Sequence, residues 1–374
     1  MSTALKQERM TGMKRTVTLL IAVCLLLCAC GPTYEVPYAS TTETTDATTE
    51  ATTEATTEAT EPPVLYRHPL TGEPLDAPFT GRPVAVSIGN TKAALPQHGI
   101  SGADLFFEVE AEGGITRFLP IITNLDAVSV IGPVRSARTF FNNLAAGWNA
   151  PIAHCGGSDR GIKGYYDLTG SKIADWNHID EFTYGTKYYY RDKERRKQGY
   201  ALEHTLFTTG EDMQAALNDL KYNTGAVLDY GLQFDENVSL EGEAASQITV
   251  SFLGKKTSEL AYDAATGLYS IRQYNRDLID GTTGKQLTFK NVFVLYAKQE
   301  KQRDTGYVRS YYELIGSGDG YFAVNGKIVK IKWSREDVKK PFVFTLEDGT
   351  PVTLGVGKSY IGISSTNSKP ISYQ

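Results

Sequence analysis

The chain has few cysteines, no large surplus of positive charge and none of the familiar catalytic signatures. It holds four cysteines in 374 residues. Cys24, Cys28 and Cys30 lie near the start, which leaves Cys155 alone in the remainder and excludes an internal disulfide there. A lone cysteine beside an apolar strand reads as a small buried hydrophobe. His154 is its neighbour in sequence, but adjacent strand residues point to opposite faces, so the pair is poorly placed as nucleophile and base. No His-Glu-x-x-His is present. Gly156-Gly157-Ser158-Asp159-Arg160 misses a nucleophile elbow because Arg160 stands where glycine is needed. Gly357-Lys358-Ser359 resembles the end of a phosphate loop, yet Val352 occupies the position of its first glycine. No nicotinamide or haem motif occurs.

Long apolar runs are also missing, with one short exception. Lys14 and Arg15 precede an apolar run from Val17 to Cys28, followed by Ala29-Cys30-Gly31. The run falls short of the roughly 20 residues that span a membrane. A basic head, a short apolar core and a small residue before the cut define a secretory signal. Cysteine directly after Ala29 is the pattern of a bacterial lipoprotein, with Cys30 as the lipid-bearing mature N-terminus. The expected location is the extracytoplasmic face of the cell membrane.

From Gly31 to Pro63 there is no Lys or Arg, and Ala-Thr-Thr-Glu recurs three times between Ala47 and Glu58. Such a stretch buries too little apolar area to offset its ordering entropy and is expected to be disordered. Random-coil scaling gives it an end-to-end distance of about 30 Å, the reach of a stalk. Its seven carboxylates (Glu35, Glu43, Asp46, Glu50, Glu54, Glu58, Glu61) outweigh the whole chain's net charge of −5. The body from Val64 onward is therefore nearly neutral, which argues against a nucleic-acid partner.

The body mixes two patterns. Val84 to Ile88, Asp104 to Val109, Phe118 to Ile122 and Pro151 to His154 read as strands. Ala137, Phe140, Phe141, Leu144 and Trp148 fall at helical spacing within Ser136 to Trp148. Thr209 and Asp212 form a capping box ahead of Met213, Ala216, Leu217 and Leu220. Beyond a polar stretch, the second half has short apolar runs broken at Asp263 to Gly267, Asp280-Gly281, Gly316 to Gly320, Asn325-Gly326 and Asp348-Gly349, which are turn signals. The expected class is α+β: an N-terminal mixed α/β domain followed by a smaller, mostly β domain. The expected division is a signal at 1–30, a stalk at 31–63, and domains at 64–235 and 245–374.

Pro83-Val84-Ala85-Val86-Ser87-Ile88-Gly89-Asn90, Ala103-Asp104, Glu112-Gly113-Gly114-Ile115-Thr116-Arg117 and Gly132-Pro133-Val134-Arg135-Ser136-Ala137-Arg138 together resemble the YerB-like lipoproteins, domain of unknown function 3048. The likeness continues through Gly156-Gly157-Ser158, Arg191-Asp192 and His204. In the β half it extends to Tyr262-Asp263, Gly316-Ser317-Gly318 and Trp333. Gly89 stands where the family often has Asp or Asn, and Glu203-His204-Thr205 where Pro-His-Asn is usual. The resemblance implies an architecture and an envelope address, without an activity.

Chemistry must then come from the residues. Arg135 and Arg138, three apart at a predicted helix start, share a face and suit phosphate or carboxylate oxygens. Gly156, Gly157 and Ser158 open a second predicted helix and offer backbone N–H groups to an anion. Arg117, after a Gly-Gly turn, can converge there, or each arginine can pair with a glutamate near 110. Glu108, Glu110 and Glu112, alternating along a strand, face one way and could hold magnesium or calcium, or form a solvated face. Tyr188-Tyr189-Tyr190 and the charged run Arg191 to Lys197 read as a mobile loop or a grip on an anionic polymer. His204 is the acid/base candidate.

Two functions follow. The favoured one is a non-catalytic envelope lipoprotein without cofactor. It would bind an anionic cell-wall polymer, a lipid-linked precursor or a wall-synthesis protein. The alternative is a magnesium-dependent phosphotransferase or hydrolase acting on a lipid-linked pyrophosphate. In that reading Arg135, Arg138 and Gly156-Gly157 hold phosphates, loosely like LytR-CpsA-Psr enzymes, one or more of Glu108, Glu110 and Glu112 holds magnesium, and His204 or a carboxylate moves a proton.

Overall fold

The computed structural model describes residues 66–157, 177–223, 225, 228–253, 256–304, 307–369 and 371–374. Cys30 and the stalk lie outside them, as do Ser158 and the helix expected after it. In the first half the elements used below are β1 (Val84–Val86), β2 (Ile88–Asn90), β3 (Leu105–Glu112), β4 (Ile115–Ile122), α1 (Thr139–Gly147), β5 (Ile152–His154), β6 (His178–Asp180), α2 (Lys193–Lys197) and α3 (Gly210–Asp219). In the second half they are β7 (Gln247–Ser251), β8 (Thr257–Asp263), β9 (Leu268–Gln273), β10 (Asn291–Ala297), β11 (Gly316–Val324), β12 (Lys327–Arg335) and β13 (Ser359–Ser365).

The class is α+β, as the residue patterns predict. The two halves nevertheless share one fourteen-stranded sheet, with path β12-β11-β10-β13-β3-β4-β1-β5-β6. The join is the parallel pairing of β13 with β3, from Ser359 opposite Leu105 to Ile363 opposite Val109. A six-stranded sheet holding β7, β8 and β9 belongs to the second half.

Alternation along the central strands sorts side chains into two apolar layers. Leu105, Phe107, Val109, Leu119 and Ile121 join one layer with Phe140, Phe141, Leu144 and Trp148 of the α1 region. Phe106, Phe118 and Ile122 join the other, with Met213, Ala216 and Leu217 of α3 and with Ile248 and Leu260 of β7 and β8. The α3 cap forms as the sequence predicts: Thr209 Oγ1 accepts from the Asp212 amide at 2.9 Å.

Three expectations are corrected. The first helix starts at Thr139 rather than Ser136, because Arg138 is extended (φ −127°, ψ 154°) and serves as the N-cap. Gly316 to Gly320 is no turn but the first part of β11, paired with β12 from Gly316 opposite Arg335. The run after Arg191 contains α2, whose N-cap Asp192 accepts from the amides of Glu194 and Arg195. Arg195 is buried there, donating to the carbonyls of Ala94, His204 and Pro96. That arginine is a structural strut rather than a polymer grip.

Candidate functional site

The sequence treats Glu108, Glu110 and Glu112 as one row, but the structure gives them separate partners. The β3–β4 hairpin turns through Gly113 and Gly114, both at positive φ (60° and 78°), as a two-residue turn of this hand requires. To fit that turn the register shifts between Glu110 and Glu112. The extra residue resets the alternation, so the three carboxylates do not converge on a cation. Glu112 receives Arg138 through both of its oxygens, from Nε at 2.8 Å and Nη2 at 2.6 Å, and Arg117 Nη2 at 2.7 Å. Glu110 is buried, and burial pushes its carboxyl up to about 7, against the opposing pull of Lys301 and hydrogen bonds with Gln299 and Ser310.

Glu108 is wholly buried and saturated. Its oxygens accept from Asn90 Nδ2 (3.1 Å), Thr116 Oγ1 (2.6 Å), Ser258 Oγ (2.8 Å), Tyr360 Oη (2.9 Å) and Gln273 Nε2 (3.0 and 2.9 Å). Donors thus reach it from both halves across the seam. Gln273 passes the network on to Lys256, whose Nζ donates to Gln273 Oε1 at 2.7 Å and lies 3.5 Å from the centre of the Tyr274 ring. Burial lowers the Lys256 amine to about 8, with Glu108 opposing the fall. Period-two alternation in β8 could have flagged Lys256: it shares the inward face with Ser258 and Leu260.

The predicted anion-binding residues separate into two groups. Arg117 and Arg138 are buried and held by Glu112, the structural pairing that the sequence left open. Both also donate to the Ser136 carbonyl, which accepts from Ser87 Oγ at 3.1 Å as well. They therefore brace the backbone from behind. Gly156 sits at φ 64°, and a Cβ there would come within 2.1 Å of the Phe182 ring. Its N–H is engaged by Asp180 Oδ1 at 2.7 Å and faces no ligand space. Gly157 is half-buried, and Ser158 lies outside the described residues.

Arg135 turns the other way, because the extended backbone of 135–138 sends alternate side chains to opposite sides. It lines a cleft of about 460 Å³ with Ser136, Cys155, Arg191, Leu202 and Glu203. Its ion pair with Glu203 is long, 3.4 Å, and that of Arg191 with Glu181 is longer, 3.7 Å. One member of each pair is exposed, Glu203 at 60% and Arg191 at 37%, while Arg135 and Glu181 are 19% exposed; at these separations each pair is open to solvent on one side and exchangeable for another anion. Arg135 also donates to the Glu203 carbonyl at 3.1 Å and Arg191 to that of Leu202 at 2.9 Å, which fixes both guanidiniums at one rim. Gly89 helps to admit Arg135: a Cβ at that position would lie 3.0 Å from Arg135 Cγ. Cys155 donates to Glu181 Oε2 at 3.2 Å, and burial followed by that carboxylate pushes its thiol up to about 12. It is an inert neutral group at the cleft wall.

The histidines are neutral fixtures. His204 is buried, and burial together with Arg135 holds it below its ordinary value against Glu203. Its Nε2 lies 3.4 Å from Glu203 Oε1. The sequence does not anticipate the contact between His154 Nε2 and His178 Nδ1, 2.9 Å, at the ends of the parallel strands β5 and β6. His154 Nδ1 faces the Gly156 carbonyl at 2.9 Å, so it carries the proton and its Nε2 accepts from His178.

This architecture, two sequence halves joined through one mixed sheet with an arginine-lined cleft in the first, defines the class. The chain belongs to the family described as protein of unknown function DUF3048: the N-terminal domain model matches residues 70–223 and the C-terminal one 248–361. A relative named "Putative lipoprotein YerB", from Bacillus subtilis (strain 168), is 29% identical over 79% of this chain and 88% of its own length. The crystal structure of the YerB protein from Bacillus subtilis superposes with a TM-score of 0.68 at 25% identity, covering 82% of this chain and 99% of that one. Among the described residues no helix is long and apolar enough to cross a membrane.

Proposed function

We propose that the chain is a lipid-anchored extracytoplasmic protein whose Arg135–Arg191 cleft binds an anionic group of the cell envelope, a phosphate or carboxylate on a wall polymer, a lipid-linked precursor or a wall-synthesis protein. The observation that supports this reading is the state of the two arginines. Each is anchored by a backbone carbonyl and loosely paired at 3.4 or 3.7 Å, whereas Arg117 and Arg138 beside them are fully engaged. An arriving oxyanion would replace Glu203 and Glu181 as partner to two guanidinium forks, a stronger, charge-assisted arrangement. The lipid anchor rests on the run before Cys30 and on the lipoprotein name of the relative.

The test is titration of the full chain, in detergent, with inorganic pyrophosphate. Binding that falls at least about tenfold in Arg135→Ala with Arg191→Ala, at unchanged melting temperature, supports the cleft; equal binding in the variant refutes it. For the anchor, Cys30→Ala is expected to abolish incorporation of labelled fatty acid. Normal labelling of that variant would remove the lipoprotein reading.

A further inference from the structure

The second half carries another concave site, remote in sequence from the cleft and different in chemistry. The groove lies across β10, β11 and β12, has a volume of about 480 Å³, and is lined by the rings of Tyr296 and Tyr321. That volume falls within the range of about 300–1,000 Å³ typical of small-molecule sites. The strand register builds it. Tyr321 stands opposite Val294 on one side and Lys330 on the other, and Asp319 stands opposite Lys332, so these side chains share one face. Gly320, between Asp319 and Tyr321, points to the opposite face, where a Cβ would lie 2.8 Å from the Val294 carbonyl and 3.1 Å from Leu295, so that the sheet packs closely behind the groove.

The rings are held in place. Tyr296 Oη accepts from the Ile371 amide at 2.8 Å, and the Tyr296 carbonyl accepts from Trp333 Nε1 at 3.0 Å. Tyr321 stands between Tyr296 and Tyr373, with ring centres 6.4 and 6.0 Å away. Around the rings the polar groups are of every kind: the carboxylates of Asp319 and Glu347, the ammoniums of Lys330 and of Lys332, which donates to Asp319 Oδ1, and the hydroxyls of Thr366 and Ser368. The two signs of charge balance, which distinguishes the groove from the arginine cleft and makes it a poor anion site.

We infer that this groove binds an oligosaccharide. A pyranose presents an apolar face of C–H groups to an aromatic ring and a rim of hydroxyls that both donate and accept. Rigid tyrosine rings supply the first contact with little loss of conformational entropy. Carboxylates accept from sugar hydroxyls, Lys330 donates to ring and acetamide oxygens, and Thr366 and Ser368 do either. The inference stands on this lining alone and does not depend on what the arginine cleft binds.

The experiment is titration of the full chain in detergent with chitotetraose, followed by tyrosine fluorescence and calorimetry. Saturable binding at millimolar concentration or below is expected. Tyr321→Ala should weaken it at least tenfold, Tyr321→Phe should retain it, and Arg135→Ala should leave it unchanged. If Tyr321→Ala does not fold, the exposed pair Asp319→Ala with Glu347→Ala carries the same test through loss of the acceptors. No binding of chitotetraose, or binding unaltered in the variant that folds, overturns the inference.

Discussion

Glu108 and Arg135 are both charged groups on the central part of the fold, and they are treated in opposite ways. Glu108 is wholly buried and accepts from five side chains drawn from both halves. Arg135 faces a cleft, with a carboxylate partner 3.4 Å away that is itself 60% exposed. A buried charge must be saturated, because each unmet hydrogen bond in a dry interior is expensive. A binding group must be held in place but left exchangeable. The contrast separates residues that join the halves from residues that can meet a ligand. It also divides the arginines: Arg117 and Arg138 fall with the first group and Arg135 and Arg191 with the second.

The largest effect should follow from breaking the saturated region. Glu108→Ala would leave Asn90, Thr116, Ser258, Gln273 and Tyr360 donating to a void, and Lys256 buried without its nearest carboxylate. A loss of about 3–5 kcal/mol is expected, read as a lowered denaturant midpoint. A change within about 0.5 kcal/mol would show that the seam does not depend on this network.

A second, smaller effect is pH dependence. All five histidines, His68, His98, His154, His178 and His204, are held below their ordinary value, in each case first by burial. Burial pushes His178 down to about 3. Below about pH 6.5 the unfolded chain takes up protons at these sites that the folded chain refuses, so stability falls as pH drops. For a group as displaced as His178 the loss approaches about 1.4 kcal/mol per pH unit. Glu110, raised to about 7, acts in the opposite direction, since the folded state binds its proton more tightly. Five groups against one gives a net loss between pH 7 and 5.5, measurable as a denaturant midpoint at each pH. Greater stability at pH 5.5 would contradict the burial of the histidines.

The smallest effect on stability should come from the cleft. Arg135→Ala removes one long ion pair to an exposed carboxylate and is expected to change stability by less than about 1 kcal/mol in thermal melts.

Much of this was legible in the chain. Short apolar runs located β3, β4 and β5 and, as one strand, the segment that the structure divides into β1 and β2; helical spacing located α1 and α3, and the Thr209 cap is where the capping box predicts it. The sequence also marked Arg135, Arg138, Arg117 and the three glutamates as the residues with chemistry. It could not show how they divide. One inserted residue between Glu110 and Glu112 turns Glu112 toward Arg117 and Arg138, and such a bulge leaves no periodic trace. The helix start at Thr139 rather than Ser136 sends Arg135 and Arg138 to different sides. Three of the five partners of Glu108 lie more than a hundred positions away: Tyr360 arrives through the parallel pairing of β13 with β3, and Ser258 and Gln273 from β8 and β9 of the other sheet, none of which local pattern can encode. Arg191 was legible as part of a charged run and of the family likeness but not as a cleft residue, because its place beside Arg135 depends on the fold of the segment carrying Leu202 and Glu203.

The most direct test of the contrast is one set of thermal melts, with and without inorganic pyrophosphate, on the full chain, on Arg135→Ala with Arg191→Ala, and on Glu108→Gln. Pyrophosphate is expected to raise the melting temperature of the unaltered chain and of Glu108→Gln, which starts lower, and to leave the double arginine variant unmoved. An equal rise in the double arginine variant, or a rise lost only in Glu108→Gln, would contradict that expectation.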